Sequence, residues 1–258
     1  MLAWHITHAL CDRRVIATEP AELRVLARTV IEAGGDALLA FRGSDNHVHS
    51  VFAGERAAAG GFARHVASAL HHRLRLVVPF EPTDVRPIRT QGHLGNSFEY
   101  VLGNAEHHGA AHDRLFEASN LPDLLGLRAI GAATRARVRA MLPRVDRALL
   151  LRLLGVDALE AAFAPDHLVA AACAAAAIPT LRSRSPEAVA ARIASLHVGA
   201  PHLTARELEA LLGIPERTAR RLRASAVDPA LLIAIGLQMD LRRKLGIIVS
   251  DAPFLAFG

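Results

Sequence analysis

Lysine, tyrosine, tryptophan and cysteine are nearly absent from this chain. Its 258 residues hold one lysine (Lys244), one tyrosine (Tyr100), one tryptophan (Trp4) and two cysteines. Cys11 and Cys173 are too far apart in sequence for a thiolate metal motif. Two cysteines make no disulfide framework either, so a reducing compartment is expected. Aromatic residues amount to 4%, which favours helices packed through small side chains. The apolar stretch from Leu168 to Ile178 is too short to span a bilayer and reads as a buried helix. Trp4, His5 and His8 interrupt the apolar run that a signal peptide needs. A cytoplasmic protein with no membrane partner is therefore expected. There is no fixed-period repeat and no low-complexity linker.

What is present is apolar mass and arginine. Hydrophobic residues make up 52% of the chain, enough for one large domain or two small ones with a real core. The formal net charge is +5 and the sequence pI about 10.4. Arginine supplies nearly all of the positive charge, and its planar fork matches phosphate oxygens. A basic balance of this kind suggests a polyanionic partner, usually nucleic acid.

The first part of the chain alternates strands and helices. Ala3 to Leu10 reads as a strand. Glu19 to Ala33 reads as a helix, with Pro20 near its start and Gly34-Gly35 at its end. Asp36 to Arg42 and His47 to Ala53 read as a hairpin around Gly43-Ser44-Asp45-Asn46. Ala57 to Leu74 reads as a second helix, Leu76 to Arg89 as strand plus loop, and Gln91 to His108 as a third helix. The order βαββαβα suggests an α+β fold: a ferredoxin-like, split βαβ antiparallel sheet with helices on one face. After Leu121 to Gly126, a short connector, only helical periodicity remains. It covers 133–142, 144–154, 158–163, 165–177, 186–197, 205–212, 216–224 and 229–245. A boundary between residues 120 and 135 divides a first domain, 1–128, from an all-helical domain, 129–258.

Asn46-His47-Val48-His49 is the most informative local segment. Histidines at i and i+2 of a strand point to one face, so two imidazoles can bind one cation with Val48 buried behind them. Tyr100 falls in a helix, and Asn104 lies one turn later on the same helical face. A phenol with a pKa near 10 is a poor nucleophile when protonated. It attacks a phosphodiester when a cation neutralises and orients the phosphate. His47, His49 and the Asn104 amide oxygen would supply three ligands, a mixed set suited to Mg²⁺ or Mn²⁺. A zinc hydrolase of small molecules would need further ligands and a general base at convincing spacing, and none is found.

Trp4-His5-Ile6-Thr7-His8, Asp12-Arg13-Arg14, Asn46-His47-Val48-His49, Tyr100 and Asn104, taken together, resemble the REP-associated tyrosine transposases. These belong to the single-tyrosine, His-hydrophobe-His nucleases related to the IS200/IS605 transposases. The resemblance covers roughly residues 1 to 128. It implies a ferredoxin-like nuclease palm, a metal held by His47 and His49 with Asn104 as third ligand, and Tyr100 as nucleophile. It also implies nicking and rejoining of single-stranded or hairpin DNA through a 5′-phosphotyrosine link, leaving a free 3′-OH. Ser50 after the second histidine and the segment following Asn104 depart from the family's usual pattern. Relatives include monomers and swapped dimers, so a homodimer stays open. Alternation puts His5 and His8 on opposite faces of the first strand. Both read as structural or DNA-contacting residues and not as catalytic ones. Arg13, Arg14 and Arg89 are candidate phosphate contacts.

In the helical half, Thr204-Ala205-Arg206-Glu207 is a capping box opening a helix. Gly213 breaks it, and Glu216 to Ala224 follows as a second helix bearing Arg217, Arg220, Arg221 and Arg223. The pair reads as a helix-turn-helix over residues 204–224, loosely similar to the DNA-binding domain of bacterial replication initiators. Its arginines are candidate contacts to phosphates or guanine edges. The competing functional reading is a catalytically silent, sequence-specific DNA-binding regulator on the same fold.

Overall fold

The computed structural model describes residues 1–44, 46–103 and 113–247. It is an α+β structure with a four-stranded antiparallel sheet and eleven α-helices among those residues. The strands are β1 (Ala3–Ala9), β2 (Leu38–Ser44), β3 (His47–Phe52) and β4 (Asp84–Ile88), in the order β2-β3-β1-β4. Helix α1 (Pro20–Gly34) joins β1 to β2, and α2 (Arg56–Arg73) joins β3 to β4. Helix α3 (Gln91–Gly103) follows β4. The only proline within a described strand, Pro87, lies on edge strand β4, where a missing ladder donor is tolerated.

The two faces of the sheet are covered differently. Trp4, Ile6, Phe41, Val48 and Phe52 form one cluster with Leu26 and Val30 of α1 and Phe62 and Val66 of α2. Ala3, Leu39, Val51 and Ile88 form the other with Leu94, Phe98 and Val101 of α3. Sequence periodicity suggested helices on one face, whereas α3 covers the second. The reason is that β3 buries both sides: Val48, Ser50 and Val51 are each at 0% exposure. An antiparallel sheet apolar on both faces must be covered on both.

The second cluster continues through α4 (Leu121–Leu125), α5 (Ala132–Met141) and α6 (Arg147–Leu154), by way of Leu124, Val138 and Leu150. The stretch expected to be a connector is thus the short helix α4, started around Pro122 and stopped by Gly126 at φ +81°. A third cluster joins α7 (Leu168–Ala175), α8 (Pro186–Gly199), α9 (Ala205–Leu212), α10 (Glu216–Arg223) and α11 (Pro229–Lys244). Its contacts run through alanines such as Ala171, Ala175, Ala191, Ala194 and Ala234, each no more than 1% exposed. That is the small-residue packing expected from an aromatic-poor chain. The expected helix at 158–163 does not form. Its backbone is turned toward α11 instead: the Glu160 N–H donates to Asp240 and the Ala162 N–H to the Gly236 carbonyl. Gly236 permits this, because a Cβ there would sit 2.9 Å from that of Ala161.

Residues 113–128 tie the sheet to the helices. The Gly43 N–H donates to the Ala118 carbonyl, and the Asn120 amide bonds both Phe41 and Leu39, so the outer edge of β2 is satisfied. Glu117, 3% exposed, lies between two buried arginines: Arg24 of α1 at 2.8 Å and Arg242 of α11 at 2.6 Å. Arg128 bonds Asp123 and the carbonyls of Ser119 and Glu117.

Removing the central charge of a buried triad leaves its partners uncompensated. Glu117→Gln is therefore expected to cost about 3–5 kcal/mol of stability. Urea denaturation should show a lower midpoint at an unchanged slope. A loss below about 1 kcal/mol would mean that solvent or other carbonyls neutralise Arg24 and Arg242.

Candidate functional site

Three elements converge on one place. In the β1–β3 register Thr7 lies opposite His49, and His5 opposite Val51. His5, Thr7, His47, His49 and Val51 therefore share the sheet face that α3 covers, and Tyr100 comes from the last turn of α3. The rings of His47 and His49 are 4.4 Å apart, edge to face. Tyr100 lies 5.6 Å from the His49 ring and 6.0 Å from that of His5. Val48 is fully buried behind the pair, as alternation requires. The tyrosine is 44% exposed, so a large substrate can reach it.

The histidines are oriented by their neighbours. His47 Nδ1 is 2.6 Å from Asn46 Oδ1, which makes that nitrogen the donor, since an amide oxygen only accepts. His49 Nδ1 lies 3.1 Å from both His5 Nε2 and Thr7 Oγ1. Burial, with the Arg86 charge adding to it and Asp84 opposing, lowers the pKa of His5. A neutral His5 accepts at Nε2 when its proton sits on Nδ1. His5 was assigned a structural or DNA-contacting role from sequence, together with His8. The structure separates them. His8 lies on the opposite face, where Nε2 donates to the Ala63 carbonyl of α2 at 2.9 Å, while His5 is part of the cluster.

Arg42 is a second member that the sequence did not point to. It lies on β2 opposite His49, is 1% exposed, and donates to the Leu102 carbonyl at 3.0 Å. Its guanidinium also stacks over the Phe116 ring at 3.9 Å. Leu102 lies two residues after Tyr100 in α3. Arg42 thus fastens the turn that bears Tyr100 to the strand beside His49. A sequence gives no sign of this, because an arginine in a strand reads as a surface residue.

The other candidates fall elsewhere. Asn104 lies outside the described residues. Among those described, no group of three or more His, Cys, Asp or Glu is arranged to hold a metal ion. Arg13 pairs with Glu81 and Arg14 with Asp12, both exposed, in the loop after β1. Arg89 is exposed at the opposite end of α3 from Tyr100. Helices α9 and α10 are joined by Gly213-Ile214-Pro215, with the expected capping box at Thr204 and Glu207. Arg217, Arg220 and Arg221 are exposed and Arg223 is half-buried; Arg220 pairs with Glu216. No helix among the described residues is long and apolar enough to cross a membrane. Comparison of the chain with family models, curated proteins and solved structures returns no match.

Burial also lowers the pKa of His8, so the folded chain resists protonation there while the unfolded chain accepts a proton near pH 6.5. The linkage sign follows: stability contributed by neutral His8 is present above pH 6.5 and is lost as the pH falls toward the folded-state value. In ¹⁵N spectra of the imidazoles, His8 should titrate at a lower pH than an ordinary histidine. A His8 that titrates at or above the ordinary pH would contradict the burial of its ring, since the Ala63 contact alone favours the charged form.

Proposed function

We propose that the chain nicks and rejoins single-stranded or hairpin DNA, with Tyr100 as nucleophile. The observation that carries the reading is the single half-exposed tyrosine set 5.6 Å from the ring of His49, which is paired with His47. The βαββαβ order with β1 between β3 and β4 supports a ferredoxin-like palm. The α9–α10 pair, with its exposed arginines, supports the helix-turn-helix reading and a second DNA contact.

Tyr100 Oη would attack a backbone phosphorus, forming a P–Oη bond as the P–O3′ bond breaks. The phenol proton leaves to solvent and the departing oxygen takes one up as a free 3′-OH. The reverse attack by that hydroxyl reseals the strand, so no external energy source is required. His47 and His49 would hold a divalent cation, Mg²⁺ or Mn²⁺, with Asn104 as the third ligand. The cation's contribution is to neutralise the phosphate and align it for in-line attack. The donor chemistry fits in the part described: two adjacent imidazoles, each with Nδ1 engaged by a neighbour, present Nε2 as the coordinating nitrogen. Such hydrogen bonds orient metal-binding histidines. His5 and Thr7 act on His49, Asn46 acts on His47, and Arg42 keeps the tyrosine's turn in place.

Labelled single-stranded hairpin oligonucleotides incubated with the protein and Mg²⁺ or Mn²⁺ should yield a covalent adduct on a denaturing gel. The adduct should disappear in Tyr100→Phe and His49→Ala. Tight binding without an adduct in any metal would instead favour a silent DNA-binding regulator. Thr7→Val, which removes one partner of His49, is expected to weaken Mn²⁺ affinity about 10–100-fold. Unchanged affinity in a calorimetric titration would separate Thr7 from the metal site.

A further inference from the structure

The chain's surplus of positive charge is concentrated beside the tyrosine helix. Residues 131–154 contain six arginines (Arg135, Arg137, Arg139, Arg144, Arg147 and Arg152) and one acid, Asp146. That excess equals the +5 formal charge of the whole protein, so the rest of the chain is neutral in sum. Asp146 is committed to capping α6, where it accepts from the Leu149 N–H. Arg137, Arg139 and Arg144 are exposed. Arg147 donates to the Leu125 carbonyl, but the exposed Arg137, Arg139 and Arg144 have no acid near them in sequence other than Asp146, and like charges placed this closely repel unless a polyanion lies against them.

A groove of about 520 Å³ runs along this patch. One wall is α3, through Gly92, Gly95, Asn96 and Glu99; the other is the α5–α6 turn, through Leu142, Arg144 and Val145. Val145 also lines a small cavity with Arg139 and Arg147, so the groove adjoins the arginine patch. Gly92 and Gly95 keep the groove open: a Cβ at either would meet no atom within 4 Å. Gly95, in the helix interior, costs the helix about 1 kcal/mol, and packing does not account for it here. Asn96 and Glu99 provide an amide and a carboxylate, groups that pair with base edges. Glu99 directly precedes Tyr100.

We propose that the arginine face of α5–α6 and the glycine wall of α3 together form the track for the single strand leading to Tyr100. Arg139 and Arg144 contact successive phosphates, and an unstacked base enters the groove against Asn96 and Glu99. This rests on the nicking reading for the identity of the strand, and its test does not depend on chemistry.

The binding partner in the test is a fluorescein-labelled single-stranded oligonucleotide of about 20 nucleotides, long enough to span several sites of the size usual for such proteins. The protein is the full chain carrying Tyr100→Phe, and anisotropy is read across a salt series. Adding Arg139→Ala and Arg144→Ala should weaken binding several-fold. It should also flatten the slope of log affinity against log salt by about 1.4, the value for two lost phosphate contacts on a single strand. The two corresponding lysine substitutions should restore the slope. Gly95→Leu, which adds a side chain on the groove wall from a Cβ with no atom within 4 Å, should weaken binding with the slope unchanged. Affinity within twofold and an unaltered slope in the double alanine variant would overturn the track. So would full affinity in Gly95→Leu, for the groove. If the unsubstituted protein forms no adduct while the arginine dependence holds, the nicking reading fails and the strand-binding surface stands.

Discussion

The pairing of β1 with β3 is the constraint on which the rest of the site depends. With Thr7 opposite His49, the diagonal neighbour of His49 on the same face is His5, close enough for a 3.1 Å contact. A slip of one residue would turn His47 and His49 toward α1 and α2 and bring Val48 to the site face. The register is secured from both sides. Val48, Ser50 and Phe52 are buried under α1 and α2, and Val51 under α3. Burial on both faces therefore makes the slip costly, so the histidine positions are a consequence of core packing.

The tyrosine's position has a different origin. Helix α3 is placed on the second face by Leu94, Phe98, Val101 and Leu102, the last two in the same turn as Tyr100. That turn is also held by Arg42, whose own position depends on β2 and on the segment that covers its edge. The 113–128 segment is thus both the seal of an edge strand and the support of the guanidinium that holds the tyrosine's turn. Its buried charges couple it to α1 through Arg24 and to α11 through Arg242. The helical half is connected to the site by this polar network as well as by apolar contact.

Much of this was legible in the sequence where a local period carries the information. The His-x-His pair on one face, the helix bearing Tyr100, the capping box at Thr204 and the alanine-packed helices all follow from neighbours a few residues apart. What was not legible depends on partners distant in the chain. His5 joins His49 only through a register between residues 44 apart. Arg42 is committed to a carbonyl 60 residues on. The stretch 158–163 has a helical composition, yet the N–H groups of Glu160 and Ala162 are taken by α11, so tertiary contact overrides propensity. The arginine excess in 131–154 was visible in the letters, but its meaning required the groove beside α3.

The central claim concerns a single oxygen atom, and the most direct measurement reads the bond it would form. The protein is incubated with a hairpin oligonucleotide and Mn²⁺, digested, and analysed by tandem mass spectrometry. The account predicts one peptide carrying a nucleotide phosphate, with the fragment series placing it on Tyr100. A nucleotide found on another residue, or none on any peptide from protein that binds the same DNA tightly, would contradict it.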